Sequence, residues 1–289
     1  MKPAPFDLEI ARSVEDVLGL LADGQRDVKL LAGGQSLVPL MNFRLARPSV
    51  LVDLNRVAEL QYLREQNGGV AMGAMTRQSA LERSELIARQ APLVTEAMPW
   101  VAHTPIRNRG TLGGSLAHAD PAAELCAVAL ALDGQVVARS RRGQRIIDID
   151  TFFVGPFTTR LDPDELLTEV RLPPFPRGTG WAFEEVARRS GDFAMVAVAA
   201  VLRLDDQGGI AFARLAYASM GPTPLRAPSG ELALVGKEPN PDNFARAAEI
   251  ALSDLEPSDD LHATRAYRID VGRALTRRAL AHALERASK

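Results

Sequence analysis

Residues 28–37 read Val28-Lys29-Leu30-Leu31-Ala32-Gly33-Gly34-Gln35-Ser36-Leu37, and VPLMNFRLARPSVLVDL follows. The apolar run VKLL halts at a glycine pair, which predicts a strand entering a tight turn. SLVPLMNFRL then reads as a helix, and Pro48 closes it before a second strand, VLVDL. Consecutive glycines allow positive φ and carry no Cβ, so successive N–H groups can converge on an anion.

Further on, Ile106-Arg107-Asn108-Arg109-Gly110 leads into Thr111-Leu112-Gly113-Gly114-Ser115. We read this pair, like the first, as following an apolar strand, with Ser36, Thr111 and Ser115 as hydroxyl donors. A helix after each pair would add a favourable dipole end. A pyrophosphate carries charge on two phosphates, so two facing nests suit it better than one. Neither loop contains lysine, which favours backbone cradling over a charge clamp. Neither fits the phosphate loop GxxxxGKS/T or the fingerprint GxGxxG. Read alone, each is more simply an ordinary glycine turn, and it is their joint occurrence that brings the dinucleotide reading level with it.

Outward from these loops, Val14–Leu21 reads as an amphipathic helix with Ser13 as its N-cap. GGVAMGAM is a strand, and SALERSELIARQAPLVTEAMPWVA is helical, interrupted near Pro92. LCAVALALDG is a helix ending at a glycine C-cap, with QVVAR as a strand after it. LPPFPRGTG is the linker. AFEEVARR, FAMVAVAAVLRL and IAFARLAYASM then suggest an antiparallel sheet with a turn at DDQGG, followed by two helices. The fold class is therefore α+β. Domains are expected at 1–177, with a further division at 57/58, and at 178–289.

The chain has 289 residues, 46% hydrophobic and 24% charged, and a net charge of −2, so no basic field invites nucleic acid. The arginines at 139–145 and 273–278 read as a solvated face or a partner contact. Cys126 is the only cysteine, which excludes an intramolecular disulfide, an iron–sulfur cluster or a thiolate zinc site within this chain. The four histidines lack metal-ligand spacing. The longest apolar run, AMVAVAAVL, is too short for a membrane span, and no leader pattern is read, so the expected location is cytoplasmic.

LLAGGQSLVPLMNFRLARPSVLVDLNRV resembles the first FAD segment of the medium subunit of carbon monoxide dehydrogenase-type molybdenum hydroxylases. IRNRGTLGGSLAHADPAAELCAVALALDG resembles that family's second FAD segment. FFVGPFTTRLDPDELLTEVRLP is similar to its strand leaving the flavin domain, and RRSGDFAMVAVAAVLRL and YASMGPTPLRA to its C-terminal flavoprotein domain. The resemblance covers most of the chain in the expected order. It implies a two-part FAD-binding domain of the p-cresol methylhydroxylase type, then a C-terminal antiparallel sheet with helices.

By the same resemblance, Ala32, Gly33, Gly34, Gln35, Ser36 and Leu37, with Thr111, Gly113, Gly114 and Ser115, would hold the pyrophosphate of noncovalent FAD. Asp120 and Glu124 would lie toward the ribose and adenine, Leu167 near the adenine, and Phe193 near the isoalloxazine. Asp120 could equally be an N-cap ahead of Pro121, and Leu167 and Phe193 ordinary core side chains. Relatives carry a lysine where this chain has Glu184-Glu185, and asparagine or aspartate at Ser115. No catalytic side chain is implied, because the flavin carries the redox step.

The implied role is electron relay from [2Fe-2S] clusters of a small partner subunit, filled by a large molybdopterin subunit, in a dimer of heterotrimers. A self-sufficient flavin-dependent reductase or oxidase, and a scaffold that has lost flavin, are the alternatives.

Overall fold

The computed structural model describes residues 1–287. Strands β1 (Asp7–Ile10), β2 (Val28–Leu31) and β3 (Val50–Asp53) form a parallel sheet in the order β1-β3-β2. Parallel neighbours need crossovers: α1 (Val14–Leu21) and α2 (Leu37–Asn42) lie in the connections. A reciprocal cap starts α1: Ser13 Oγ accepts from the Asp16 N–H at 3.1 Å, and Asp16 Oδ2 accepts from the Ser13 N–H at 3.0 Å. Val17 and Val52 are fully buried between helix and sheet.

A second, antiparallel sheet runs β4-β5-β10-β6-β7. Its strands are β4 (Leu63–Gln66), β5 (Gly69–Gly73), β6 (Gln135–Ser140), β7 (Gly143–Asp148) and β10 (Leu166–Leu172), with a two-stranded ribbon of β8 (Phe153–Gly155) and β9 (Thr158–Thr159) beside it. The strand expected to leave the flavin domain is thus the sheet's central strand. The long helical stretch divides at Ser84 as well as at Ala91, giving α3 (Gln78–Arg83), α4 (Glu85–Gln90) and α5 (Pro92–Ala97). Ser84 accepts from the Ile87 N–H at 3.3 Å, so its hydroxyl starts a new helix rather than sitting inside one. Next come α6 (Thr104–Arg107), α7 (Leu112–His118) and α8 (Glu124–Ala131). The turn after α8 takes its positive φ at Asp133 (49°), not at the glycine expected there.

Beyond the proline-rich stretch, β11 (Thr179–Ala187), β12 (Ala194–Leu204), β13 (Ile210–Ala218) and β14 (Leu225–Arg226) form an antiparallel sheet in sequence order. The period of two divides β12 between two cores. Val196, Val198, Ala200 and Leu202 pack with α9 (Pro228–Leu234), α10 (Pro241–Ser253) and α11 (Arg265–Ala287). Ala197, Ala199 and Val201 join the core around α8. Charged groups close this seam: Asp133 bonds Arg214 at 2.9 Å and Arg226 at 3.3 Å, and Arg286 donates to Glu96 and to the Trp181 carbonyl. Arg139, Arg142 and Arg145 pair with Glu15, Asp162 and Asp164, and Glu165, so that basic run is internally compensated.

Candidate functional site

The parallel strands β2 and β3 end side by side, an edge where α/β sheets place ligands. Ala32–Ser36 leaves β2 there, and Asp53 and Asn55 stand at the end of β3. Gly34 has φ 75°, which a residue with a Cβ rarely adopts, and it turns the chain into α2. Gln35 Nε2 donates to the Gly33 carbonyl at 2.9 Å, and Val38 N–H to the Gly34 carbonyl at 3.1 Å. Among the described residues no protein acceptor meets the N–H groups of Gly33, Gly34, Gln35 and Ser36. Ser36 makes no side-chain cap bond, so its hydroxyl is free of the helix it precedes.

The second glycine pair is built differently from expectation. It follows the short helix α6 rather than a strand, and Gly113 and Gly114 lie in the first turn of α7 itself. Thr111 is the N-cap, its hydroxyl accepting from the Gly114 N–H at 3.1 Å. The N–H groups of Leu112, Gly113 and Ser115 donate to the carbonyls of Thr76, Ala74 and Thr111. Only the first loop therefore presents a run of free donors. The second is a wall, with the Ser115 hydroxyl unbonded among the described residues.

The glycines of both loops are needed chiefly for contact. A Cβ on Gly33 would overlap the Arg109 carbonyl and stand 2.8 Å from the Gly110 Cα. A Cβ on Gly113 would lie 2.5 Å from that of Ala74, and one on Gly114 would lie 3.2 Å from that of Ala32. The two loops, some eighty residues apart, thus touch backbone to backbone.

The remaining expected residues fall around this pair. Asp120 does not cap a helix, because α8 begins at Glu124. Instead its Oδ1 accepts from the Ala122 N–H at 2.9 Å in a tight turn after α7. Glu124 opens α8 and is 5% exposed. Burial pushes its carboxyl up to about 7, with the Asp120 charge adding. Glu185, 4% exposed on the face of β11 turned toward this seam, is pushed up to about 8 by burial and by Glu124, and its Oε2 has no partner. Glu184 faces the opposite way, toward Arg278 (2.6 Å) and His282 (2.7 Å) on α11.

Leu167 is a core side chain of β10, packed in the same cluster as Ala74, Leu112 and Leu116 behind the second loop. Phe193 is 60% exposed in the β11–β12 connection rather than a core aromatic. That connection reaches the same neighbourhood, since a Cβ on Gly191 would lie 2.7 Å from His103 Nδ1, at the start of α6.

Sequence reading missed a set of polar groups between the loops. Asn55 Nδ2 donates to the Ala32 carbonyl at 3.2 Å, Arg77 Nη2 donates to Asn55 Oδ1 at 2.5 Å, and Arg77 Nη1 donates to the Arg109 carbonyl. Positive charge thus stands beside loops that contain no lysine. The available signal was Asp53-Leu54-Asn55 at the end of a parallel strand; nothing local marks Arg77.

The residues present suit a dinucleotide with a diphosphate: free amides and two hydroxyls, close loop contact, and an arginine at the junction. Among the described residues no group of His, Cys, Asp or Glu could hold a metal ion, and no helix is long and apolar enough to cross a membrane.

Residues 4–175 match the model of the FAD binding domain in molybdopterin dehydrogenase, and 181–283 that of the CO dehydrogenase flavoprotein C-terminal domain. The chain is 46% identical to the 6-hydroxypseudooxynicotine dehydrogenase complex subunit alpha of Paenarthrobacter nicotinovorans, over 99% of this chain and 97% of that one. It is 41% identical to caffeine dehydrogenase subunit beta of a Pseudomonas species, with the same coverage. Superposition on a carbon monoxide dehydrogenase chain from Hydrogenophaga pseudoflava gives a TM-score of 0.96 at 37% identity, covering 99% of each chain. The chain belongs to the family of FAD-binding medium subunits of molybdenum hydroxylases.

Proposed function

We propose that residues 32–37 and 111–115 hold the pyrophosphate of one FAD, and that the chain relays electrons within a larger complex. The packing of Gly33 onto Arg109 and Gly110 carries this reading, because it brings the two loops into contact with each other. The first loop donates through its unbonded amides and Ser36; Thr111 and Ser115 line the other side. Asp120 and Glu124 lie on the nucleotide side, Leu167 supports the second loop from behind, and Phe193 flanks the flavin ring. When bound, FAD supplies the capacity to take up and release electrons singly or in pairs. The chain's own residues bind and orient it, while burial of Glu124 and Glu185 favours their protonated forms.

Cys126 is the one cysteine and is buried, so this chain cannot itself hold an iron–sulfur cluster, and electrons delivered by such a cluster come from another chain. We assign that role to a small subunit with two [2Fe-2S] clusters, filled from a large molybdopterin subunit, in a dimer of heterotrimers in the cytoplasm. Division near residue 177 fits this arrangement, with separate cores on the two faces of the C-terminal sheet. Isolation of the tagged chain from its native host tests it. Iron, molybdenum and two further chains should co-purify in fixed ratio. Turnover of an organic substrate by the chain alone would instead establish a self-sufficient flavoenzyme.

A further inference from the structure

Between the loops runs a continuous polar strap. Asp53 Oδ1, at the end of β3, accepts from the Asn55 N–H at 2.8 Å and from Asn55 Nδ2 at 2.5 Å. Asn55 Nδ2 also reaches the Ala32 carbonyl, and Asn55 Oδ1 receives Arg77 Nη2. Arg77 Nη1 then reaches the Arg109 carbonyl. The strap therefore joins the carbonyl just before Gly33 to the carbonyl just before Gly110. These are the two places where the loops touch. Arg77 is fixed from its own backbone as well, pairing with Thr111 in an isolated antiparallel bridge, while the next N–H, of Gln78, donates to the Gly110 carbonyl at 2.9 Å.

The charges are unbalanced. Burial holds the Arg77 guanidinium below its ordinary value, and the nearby Arg109 charge lowers it further, against the pull of Asp53. The exposed Arg109 side chain donates to no acceptor among the described residues. Two cations thus face one carboxylate at the junction of two loops, only one of which has free amides to offer. An anion placed there would relieve the repulsion.

We propose that Arg77 is a positioning residue for the flavin diphosphate: it sets the spacing of the two glycine loops through Asn55 and, with Arg109, supplies the charge that the diphosphate neutralises. This rests on the flavin reading above. Bidentate ties of this kind are not interchangeable between arginine and lysine. Lysine at 77 keeps the charge but cannot reach both Asn55 and the Arg109 carbonyl.

The test uses the full apo chain, titrated with FAD at low and high salt, with inorganic pyrophosphate as competitor. Losing charge-assisted bonds at this strength weakens FAD binding about 10- to 100-fold in Arg77→Met. Pyrophosphate should no longer compete, and the salt dependence should flatten. Arg77→Lys should recover the salt dependence and competition but not the full affinity, and if Arg77→Met does not fold, this variant decides. A folded Arg77→Lys or Arg77→Met chain that binds FAD as tightly as the parent, with unchanged competition and salt dependence, overturns the proposal. Failure of the parent chain itself to bind FAD removes the flavin reading instead, and both fall.

Discussion

Gly33 rests directly on the backbone of Arg109, so the first glycine loop is shaped by the second and neither is an independent turn. The contact leaves no room for a methyl group. In Gly33→Ala the loops must part, at a cost of about 1–3 kcal/mol for overpacking against backbone. Thermal denaturation should register that loss, and FAD titration should show binding weakened at least as much. Gly208→Ala, at a glycine with open space around it, should leave FAD binding unchanged.

Thr111 caps α7 through the Gly114 N–H and is only 2% exposed. Thr111→Ala removes the acceptor, and about 1 kcal/mol of stability should go with it. Thr111→Ser keeps the hydroxyl and should restore most of it. Unfolding curves of the three proteins separate the cap from the methyl.

Arg107 is nearly buried and holds the turn ahead of the second loop, with two 3.0 Å bonds to Glu82 and others to the carbonyls of Val101 and Ala102. Arg107→Met strands those carbonyls. Glu82 retains some access to water, so the expected loss is about 2–3 kcal/mol, below the full figure for a buried pair. Denaturant titration measures it.

The fold was largely legible because apolar runs, glycines and capping residues are local signals. The strands at 28–31 and 50–53, the antiparallel C-terminal sheet and the Ser13 cap lie where these signals put them, whereas β1 was not read and the parallel pairing of the three strands carries no local signal. The site was legible only in part. Glycine pairs announced two tight loops, yet not that the amides of the second are consumed by Thr76, Ala74 and Thr111. Thr111 is local, but Thr76 and Ala74 lie over thirty residues earlier, so no window around Gly113 contains them. Arg77 was invisible for the same reason, since its partners Asn55 and Arg109 meet it only in the folded chain. The alternative of Asp120 as a helix cap fails although Pro121 suits a first turn, because the chain turns once more before α8.

Glu124 and Glu185 make stability depend on pH. Both titrate higher when folded, near 7 and 8, than the ordinary carboxylate value of 4.5. The native chain therefore holds more protons than the unfolded one between these values. Stability from this pair is fully present below pH 4.5, falls as pH rises through 7 and 8, and then levels. Glu185→Gln should flatten the fall in melting temperature across that window; an unchanged profile would mean that other groups set it.

The central claim is that both glycine loops grip a single FAD, and amide hydrogen exchange reads it directly. With increasing FAD, peptides spanning 32–37 and 111–118 should both slow, with the same midpoint, the first more strongly because its amides start unbonded. Slowing of one span without the other, or of neither, would contradict the account.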